Sequence, residues 1–506
     1  MNKRRPNLLS WVAALAALVT VAAYTATGQP VAAFGLGELG AGFGRSGAIA
    51  GVRAGDFRYP SFPSTTLANF RTTADIQNNF IGTATDVADP DSPYGSTSIQ
   101  ETFNGGTSTL VSKTTVSPVN VTGGMIRWTF KPGTAIKLTS SPFTSFNIRL
   151  YSAGTPSSPS ANYHQGGSST FVNTMSTATA GASTGRWQSV SFNVGAFTAV
   201  GTGADLTQIT FATILARASN GTIAQIGNIE FFANPRSKAL MMFRFDDGGD
   251  ATYTVAYPLL QSYGAPGMLA IGDASHAING GSHVTTAQVQ TMLNAGWQFL
   301  SQSLTTEDQT TFDGWTSAQR DAEFQGFRTL GGTFGKRRDT YDMTYFSSVG
   351  PPDMIAWPNF KSNGRTVMRF QNWNAGINPP FPFDETFPPG DPYGIISFNL
   401  NSESGGANTT SQLQILLDRV RTNKGMIIIS CHPNSDLTDA NASNRIAALT
   451  AALTEAYTTN PTQWDVMTLR QALAPYNGDN MQNFLLKRDL DPWSNDNDPV
   501  WLEKAA

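Results

Sequence analysis

The sequence predicts an all-β domain followed by an α/β domain: a β-sandwich of jelly-roll type, then a distorted (β/α) barrel. Three observations predict this. The chain has 506 residues, too long for one hydrophobic core. Residues 57–235 carry short stretches in which apolar and polar side chains alternate, the period of a strand with one buried face. Near Arg236 the period changes to apolar runs alternating with helical spacing, the pattern of parallel β/α units.

Lys3, Arg4 and Arg5 precede an apolar run over residues 8–23, broken only by Ser10 and Thr20. With the small residues Val31, Ala32 and Ala33 behind it, this reads as a Sec-type signal peptide over residues 1–33. An uncleaved anchor is the alternative, because residues 8–26 just span a bilayer. Pro6 and Asn7 after the arginine pair argue against a twin-arginine signal. Residues 34–56 are Gly/Ala-rich and read as a linker.

In the β-rich part, residues 125–131, 146–150, 190–194 and 229–231 alternate, and clusters of Gly, Ser, Pro and Asn separate them. The α/β part is expected over residues 236–478. Residues 239–245 form its first apolar strand. Residues 252–263 have helical spacing and stop at Gly264, and a second strand covers 267–271. Residues 286–295 form a helix ending at Gly296, followed by a strand over 297–300. Two more buried-type strands fall at 425–429 and 464–469. Residues 479–506 are polar and Asp-rich and read as a tail, and no internal repeat stands out.

Charged residues make up 14% of the chain and the formal net charge is −3, so no nucleic-acid partner is expected. The cluster Lys336-Arg337-Arg338 reads as a solvated loop. The wealth of Gly, Ser, Thr and Asn, with 10 Trp and 31 Phe, suits β-rich extracellular domains with sugar-facing surfaces. The single cysteine, Cys431, lies in an apolar run and reads as a buried thiol rather than a nucleophile.

In a barrel built of such units, reactive side chains stand at the C-terminal ends of strands. Asp246 and Asp247 follow the first strand there, ahead of Gly248 and Gly249. The plain reading is a solvated Asp-Gly turn. The functional reading uses the divergence of adjacent side chains, one holding a cation while the other faces substrate.

Phe245-Asp246-Asp247-Gly248, the helical stretch behind it and Tyr263-Gly264-Ala265-Pro266-Gly267 resemble the first motif of NodB-type polysaccharide deacetylases, carbohydrate esterase family 4. The resemblance spans residues 238–476. It implies a hydrolase that removes N-acetyl or O-acetyl groups from a polysaccharide, with Asp246 as base and Asp247 as metal ligand. Ile428-Ile429-Ser430-Cys431-His432-Pro433 resembles the last motif, which makes His432 the general acid. The second motif departs. Where the family has two histidines, this chain has Gln302 and Thr306, within Ser301-Gln302-Ser303-Leu304-Thr305-Thr306-Glu307. That leaves Asp247, Gln302 and Glu307 as an oxygen-only set, suited to manganese, calcium or magnesium rather than zinc, or to no metal if the protein is inactive. The third motif also departs at residues 346–350, and Asp353, Trp357 and Arg365 behind it are candidates to line the substrate groove. His276 and His283 flank a Gly-rich loop and are the alternative nitrogen ligands; the fourth histidine is His164.

Trp187, Tyr151 and Tyr163 are candidates for stacking on sugar rings from a carbohydrate-binding module, with core packing the stronger reading for Trp187. The expected partner is a polysaccharide or glycan, with membrane contact only through an uncleaved N-terminal segment. The expected location is exported: secreted, periplasmic, envelope-bound or on a virion surface. The competing readings are an active deacetylase, a non-catalytic glycan binder and a structural surface protein.

Overall fold

The structure, a computed structural model, describes residues 62–133, 143–166, 187–272, 277–305, 309–336, 340, 342–344, 366–371, 386–387, 389, 395–400 and 410–473. The expected signal peptide, linker and polar tail lie outside these residues. Among the described residues no helix is long and apolar enough to cross a membrane.

From Thr65 to Phe232 the described strands pair antiparallel in two main sheets. One is ordered Gln188–Asn193, Met125–Pro132, Ile223–Phe232, Thr97–Phe103, Gly82–Ala88, with Thr65–Ala68 on Ile223–Phe232. The other is ordered Thr198–Val200, Tyr163–Gly166, Phe143–Tyr151, Phe211–Ala218, Thr107–Ser112, Ile76–Asn79. The alternation explains their packing: Ile126, Trp128, Phe192 and Ile226 of the first sheet share one apolar cluster with Ile148, Leu150, Ile214 and Ala216 of the second.

From Ala239 the pairing turns parallel. The strands are β1 (Ala239–Phe245), β2 (Met268–Ile271), β3 (Gln298–Ser301), β4 (Asp342–Thr344), β5 (Thr366–Gln371), β6 (Ile395–Asn399), β7 (Met426–Cys431) and β8 (Trp464–Val466). The sheet runs β2-β3-β4-β5-β6-β7-β1-β8. β2 also pairs with the end of β1, Arg244 opposite Met268, so the path of pairings returns on itself. β8 takes the same edge of β1 lower down, from Ala239 to Met241.

Side-chain period sorts this sheet into two faces. Met241, Phe243, Phe245, Leu269, Phe299, Ile427 and Ile429 pack on the helices Thr286–Asn294, Thr410–Asn423 and Ala442–Thr454. Leu240, Met242, Met268, Ala270, Leu300, Met426 and Ile428 form a separate cluster on the other face. In phase with that second set, further along each strand, come Arg244 and Asp246, Gln302, Thr344, and Ser430 and His432. The same alternation that builds the core therefore delivers the polar side chains to one place.

The punctuation follows the residues. The segment after β1 opens as a π-turn over Thr252–Ala256, runs into the helix Tyr257–Ser262 and stops at Gly264, whose φ is 69°. Gly267 has no room for a side chain, because a Cβ there lies 2.8 Å from the buried ring of Trp297. That ring stacks on Phe245 with centroids 5.4 Å apart. Thr285 and Gln288 form a capping box on the helix Thr286–Asn294. Lys336 is buried, not solvated as expected, and its N–H donates to the Gly331 carbonyl at the end of the helix Ser317–Thr333 (2.8 Å). Arg337 and Arg338 lie outside the described residues.

The antiparallel sheets join the parallel sheet near the starts of its strands. Asn234 donates to the Lys424 carbonyl at 2.8 Å, and Arg236 and Lys238 both reach Asp465 of β8. The Ser191 and Thr386 hydroxyls lie 2.6 Å apart.

Candidate active site

The first carboxylate of the pair is sealed. The Asp246 N–H continues the ladder to the Cys431 carbonyl (3.1 Å), and its side chain has no exposed surface. Arg244, equally sealed, sets Nη2 3.1 Å from Asp246 Oδ2. The Thr344 hydroxyl donates to Oδ1 at 3.4 Å. Burial pushes the Asp246 carboxyl above its ordinary range; Arg244 and His432 oppose that and Asp247 adds to it.

The second carboxylate points elsewhere because the backbone turns over between the two. Asp247 has φ 64° and Gly248 φ 58°, two successive left-handed residues, which few side chains tolerate. The reversal is tied at three points. Gly248 N–H donates to Ala270 O (2.9 Å), Val284 N–H donates to Gly248 O (2.8 Å), and the Asn434 amide accepts from Ala251 N–H (3.1 Å) while donating to Ser282 O (2.8 Å). A Cβ on Gly249 lies 2.5 Å from that Asn434 side chain, which explains the second glycine.

Gln302 meets Asp247 twice. Its Nε2 donates to Asp247 Oδ1 at 2.9 Å, and its Oε1 accepts from the Asp247 N–H at 3.3 Å. The Gln302 N–H carries on the ladder to Ile271 O (3.1 Å). The loop behind it is held by Glu323 of the helix Ser317–Thr333. Glu323 accepts from the Ser303 hydroxyl (2.9 Å), the Leu304 N–H, and the Thr305 N–H (3.1 Å) and hydroxyl (2.7 Å).

His432 follows β7 and caps the short helix Pro433–Asp436. Its N–H donates to Asp436 Oδ2 at 2.7 Å, and its Nδ1 lies 3.8 Å from the same oxygen. Burial pushes the Asp436 carboxyl up, offset by its bond from the His432 N–H and by the charges of His432 and Arg445. On the open side, His432 Nε2 lies 3.9 Å from Asp247 Oδ2, and the two side chains are 24% and 25% exposed. That separation is too long for a direct hydrogen bond, yet both atoms can reach one shared oxygen.

The structure thus brings Asp246, Asp247, Gln302 and His432 together. Glu307, Asp353, Trp357, Arg365 and His276 lie outside the described residues. His283 turns its Nδ1 to the Gly280 carbonyl (2.8 Å), and His164 sits in the antiparallel strand Tyr163–Gly166. Sequence reasoning missed Arg244, Thr344, Glu323 and Asp436. Arg244 carried a usable signal, a lone cation in an apolar strand two residues before Asp246. Asp436 carried another, four residues after His432 behind a proline.

The donors among the described residues do not fit zinc. Among the described residues no group of three His, Cys, Asp or Glu is placed to hold an ion. The amide nitrogen that Gln302 turns to Asp247 has no lone pair for a metal.

Two of the three aromatic candidates of the β-rich part are buried. Trp187 is buried and its indole N–H donates to Asp89 (2.9 Å), in line with core packing. Tyr151 is also buried, stacked on Phe211 at 4.6 Å, which corrects its reading as an exposed ring. Tyr163 is half-buried under the Arg149 guanidinium.

No protein-family model matches the chain, and no curated protein matches it. Solved structures with some likeness include a Mycobacterium smegmatis protein assigned as a polysaccharide deacetylase, at 12% identity and TM-score 0.33, covering 48% of this chain and 92% of that one. The chitin deacetylase of Colletotrichum lindemuthianum has 13% identity and TM-score 0.28, covering 49% and 92%. A xylan-binding domain from Paenibacillus barcinonensis has 10% identity and TM-score 0.19, covering 34% and 96%. At such scores the functional reading rests on this chain's own residues.

Proposed function

We propose that the chain is an exported hydrolase that removes N- or O-acetyl groups from a polysaccharide. Its site stands at the C-terminal ends of a distorted β/α barrel over residues 236–478, and residues 57–235 form a jelly-roll module that holds glycan. The observation that carries the reading is the pair Asp247 Oδ2 and His432 Nε2, 3.9 Å apart with side chains 25% and 24% exposed, in a frame that resembles two motifs of the deacetylase family.

Water reaches Asp247 and not Asp246, so Asp247 is the base here, although the resemblance gives that role to Asp246. Asp247 takes a proton from water, and the water oxygen bonds to the acetyl carbonyl carbon. The tetrahedral adduct then collapses, breaking the C–N or C–O bond. His432, held from behind by Asp436, protonates the leaving nitrogen or oxygen, and acetate and the free sugar group depart. Asp246 stays beneath, buried and set against Arg244.

One observation favours a second reading, a glycan-binding protein without catalysis: Gln302 replaces a strong ligand beside Asp247. Acetate release from N- and O-acetylated polysaccharides, with and without added manganese, calcium, magnesium or zinc, separates the two. Release that stops in Asp247→Asn supports the hydrolase. Binding of glycan with no release under any condition supports the second reading.

A further inference from the structure

We propose that Gln302 is a positioning residue: an amide clamp that aims Asp247 for hydrolysis without a metal ion. This rests on the hydrolase reading above and goes beyond it. Three features carry it. First, the contact is two-pronged and its direction is fixed. Turning the amide over would set Oε1 against a carboxylate oxygen and the NH2 against an N–H, so the N–H of Nε2 must face Oδ1. Second, it grips the residue that most needs holding. Asp247 is a non-glycine residue at φ 64°, a conformation that persists only where its surroundings fix it. The clamp binds both its backbone N–H and its carboxylate, leaving Oδ2 free towards His432.

Third, the clamp itself is braced. Gln302 is buried, its N–H is in the ladder to β2, and the next three residues are bound to the Glu323 carboxylate. A side chain so fixed cannot readily swing aside for a cation. Nε2 itself lies 2.9 Å from Oδ1, so its N–H takes up the space between Asp247 and residue 302 that a shared ion would need. A positively polarised NH2 thus does for the carboxylate what a cation would do: it fixes the orientation and satisfies one oxygen.

Three variants test this, with two readouts. In the wild-type protein, chelation should leave kcat unchanged, and calorimetric titration with zinc, manganese or calcium should show no binding at the site. Gln302→Leu should lower kcat about 100-fold at constant KM, as a misaimed base does. Gln302→Glu puts a carboxylate against Asp247; it should be inactive alone, bind calcium or manganese, and regain activity with that ion. Chelation that abolishes wild-type activity would overturn the clamp. So would a cation bound stoichiometrically by the wild type and lost in Asp247→Ala. A wild-type protein that releases no acetate overturns the hydrolase reading instead. Calorimetry then decides the clamp alone: binding confined to Gln302→Glu supports it, and binding by the wild type overturns it.

Discussion

Gln298 opens β3 and Gln302 follows its last residue, four residues apart and in phase, at opposite ends of the parallel sheet, and they do opposite things. Gln298 donates to Asp342 Oδ2 (2.6 Å) and accepts from the Arg470 N–H (3.1 Å), while Arg470 Nη2 closes on the same carboxylate at 3.1 Å. All three residues are buried, and the antiparallel sheets join the molecule near this end. Gln302 likewise uses both ends of its amide, but its carboxylate is a quarter exposed and faces His432 Nε2 at 3.9 Å. One end is a closed network with a cation matched to its carboxylate. The other holds its carboxylate in place and leaves one oxygen unspent. The difference teaches that an amide–carboxylate pair is not in itself a sign of structure or of function; what the second oxygen faces decides.

The largest effect expected from this contrast is on rate. His432→Gln should lower kcat by roughly 10²–10⁴-fold, the range for a lost general acid, while the urea midpoint stays near wild type. Equal loss of stability would mean that the open end is as structural as the closed one. Next, Asp342→Ala should cost roughly 3–5 kcal/mol of stability, because it leaves the Arg470 charge buried without its carboxylate. An unchanged urea midpoint would break the comparison from the other side.

A third carboxyl, Glu101, shows burial with no cation against it among the described residues. Glu101 has no exposed surface, its partner is the Asn79 amide (2.8 Å), and burial pushes its carboxyl up to about 7. The folded state therefore holds this proton more tightly than the unfolded chain. The stability it contributes is present below the ordinary carboxylate range and is lost as pH rises through about 7, by roughly 3 kcal/mol at most. Urea midpoints should fall from about pH 5 to 8, and Glu101→Gln should flatten that part of the curve. The smallest effect belongs to the packing that holds the open end. Gly267→Ala pushes a methyl against the Trp297 ring that supports Phe245, and should cost about 1–3 kcal/mol in thermal melts without changing KM.

Much of this was legible in the sequence because period two governs both core and site. The alternation from Leu240 to Asp246, and from Met426 to His432, already puts Asp246 and His432 on one face, whereas Asp247 faces His432 only because the backbone turns over after Asp246. The helices after β1 and β2 announced themselves by Gly264 and Gly296. The strands Asp342–Thr344, Thr366–Gln371 and Ile395–Asn399 did not, since they are short, partly polar and lack a readable alternation. Partnerships were the least legible. That Gln302 would turn its nitrogen to Asp247 depends on strand register, which no local pattern records. Tyr151 misled for a related reason: it alternates outward from the shared core, yet Phe211 of the neighbouring strand stacks on it.

The central claim is that chemistry belongs to the Asp247 end alone. Acetate release from an acetylated polysaccharide, per mole of folded protein, should be compared for Asp247→Asn and Asp342→Asn. The account predicts no release above background for Asp247→Asn, and wild-type kcat for whatever fraction of Asp342→Asn folds. Release retained in Asp247→Asn, or lost in folded Asp342→Asn, would contradict it.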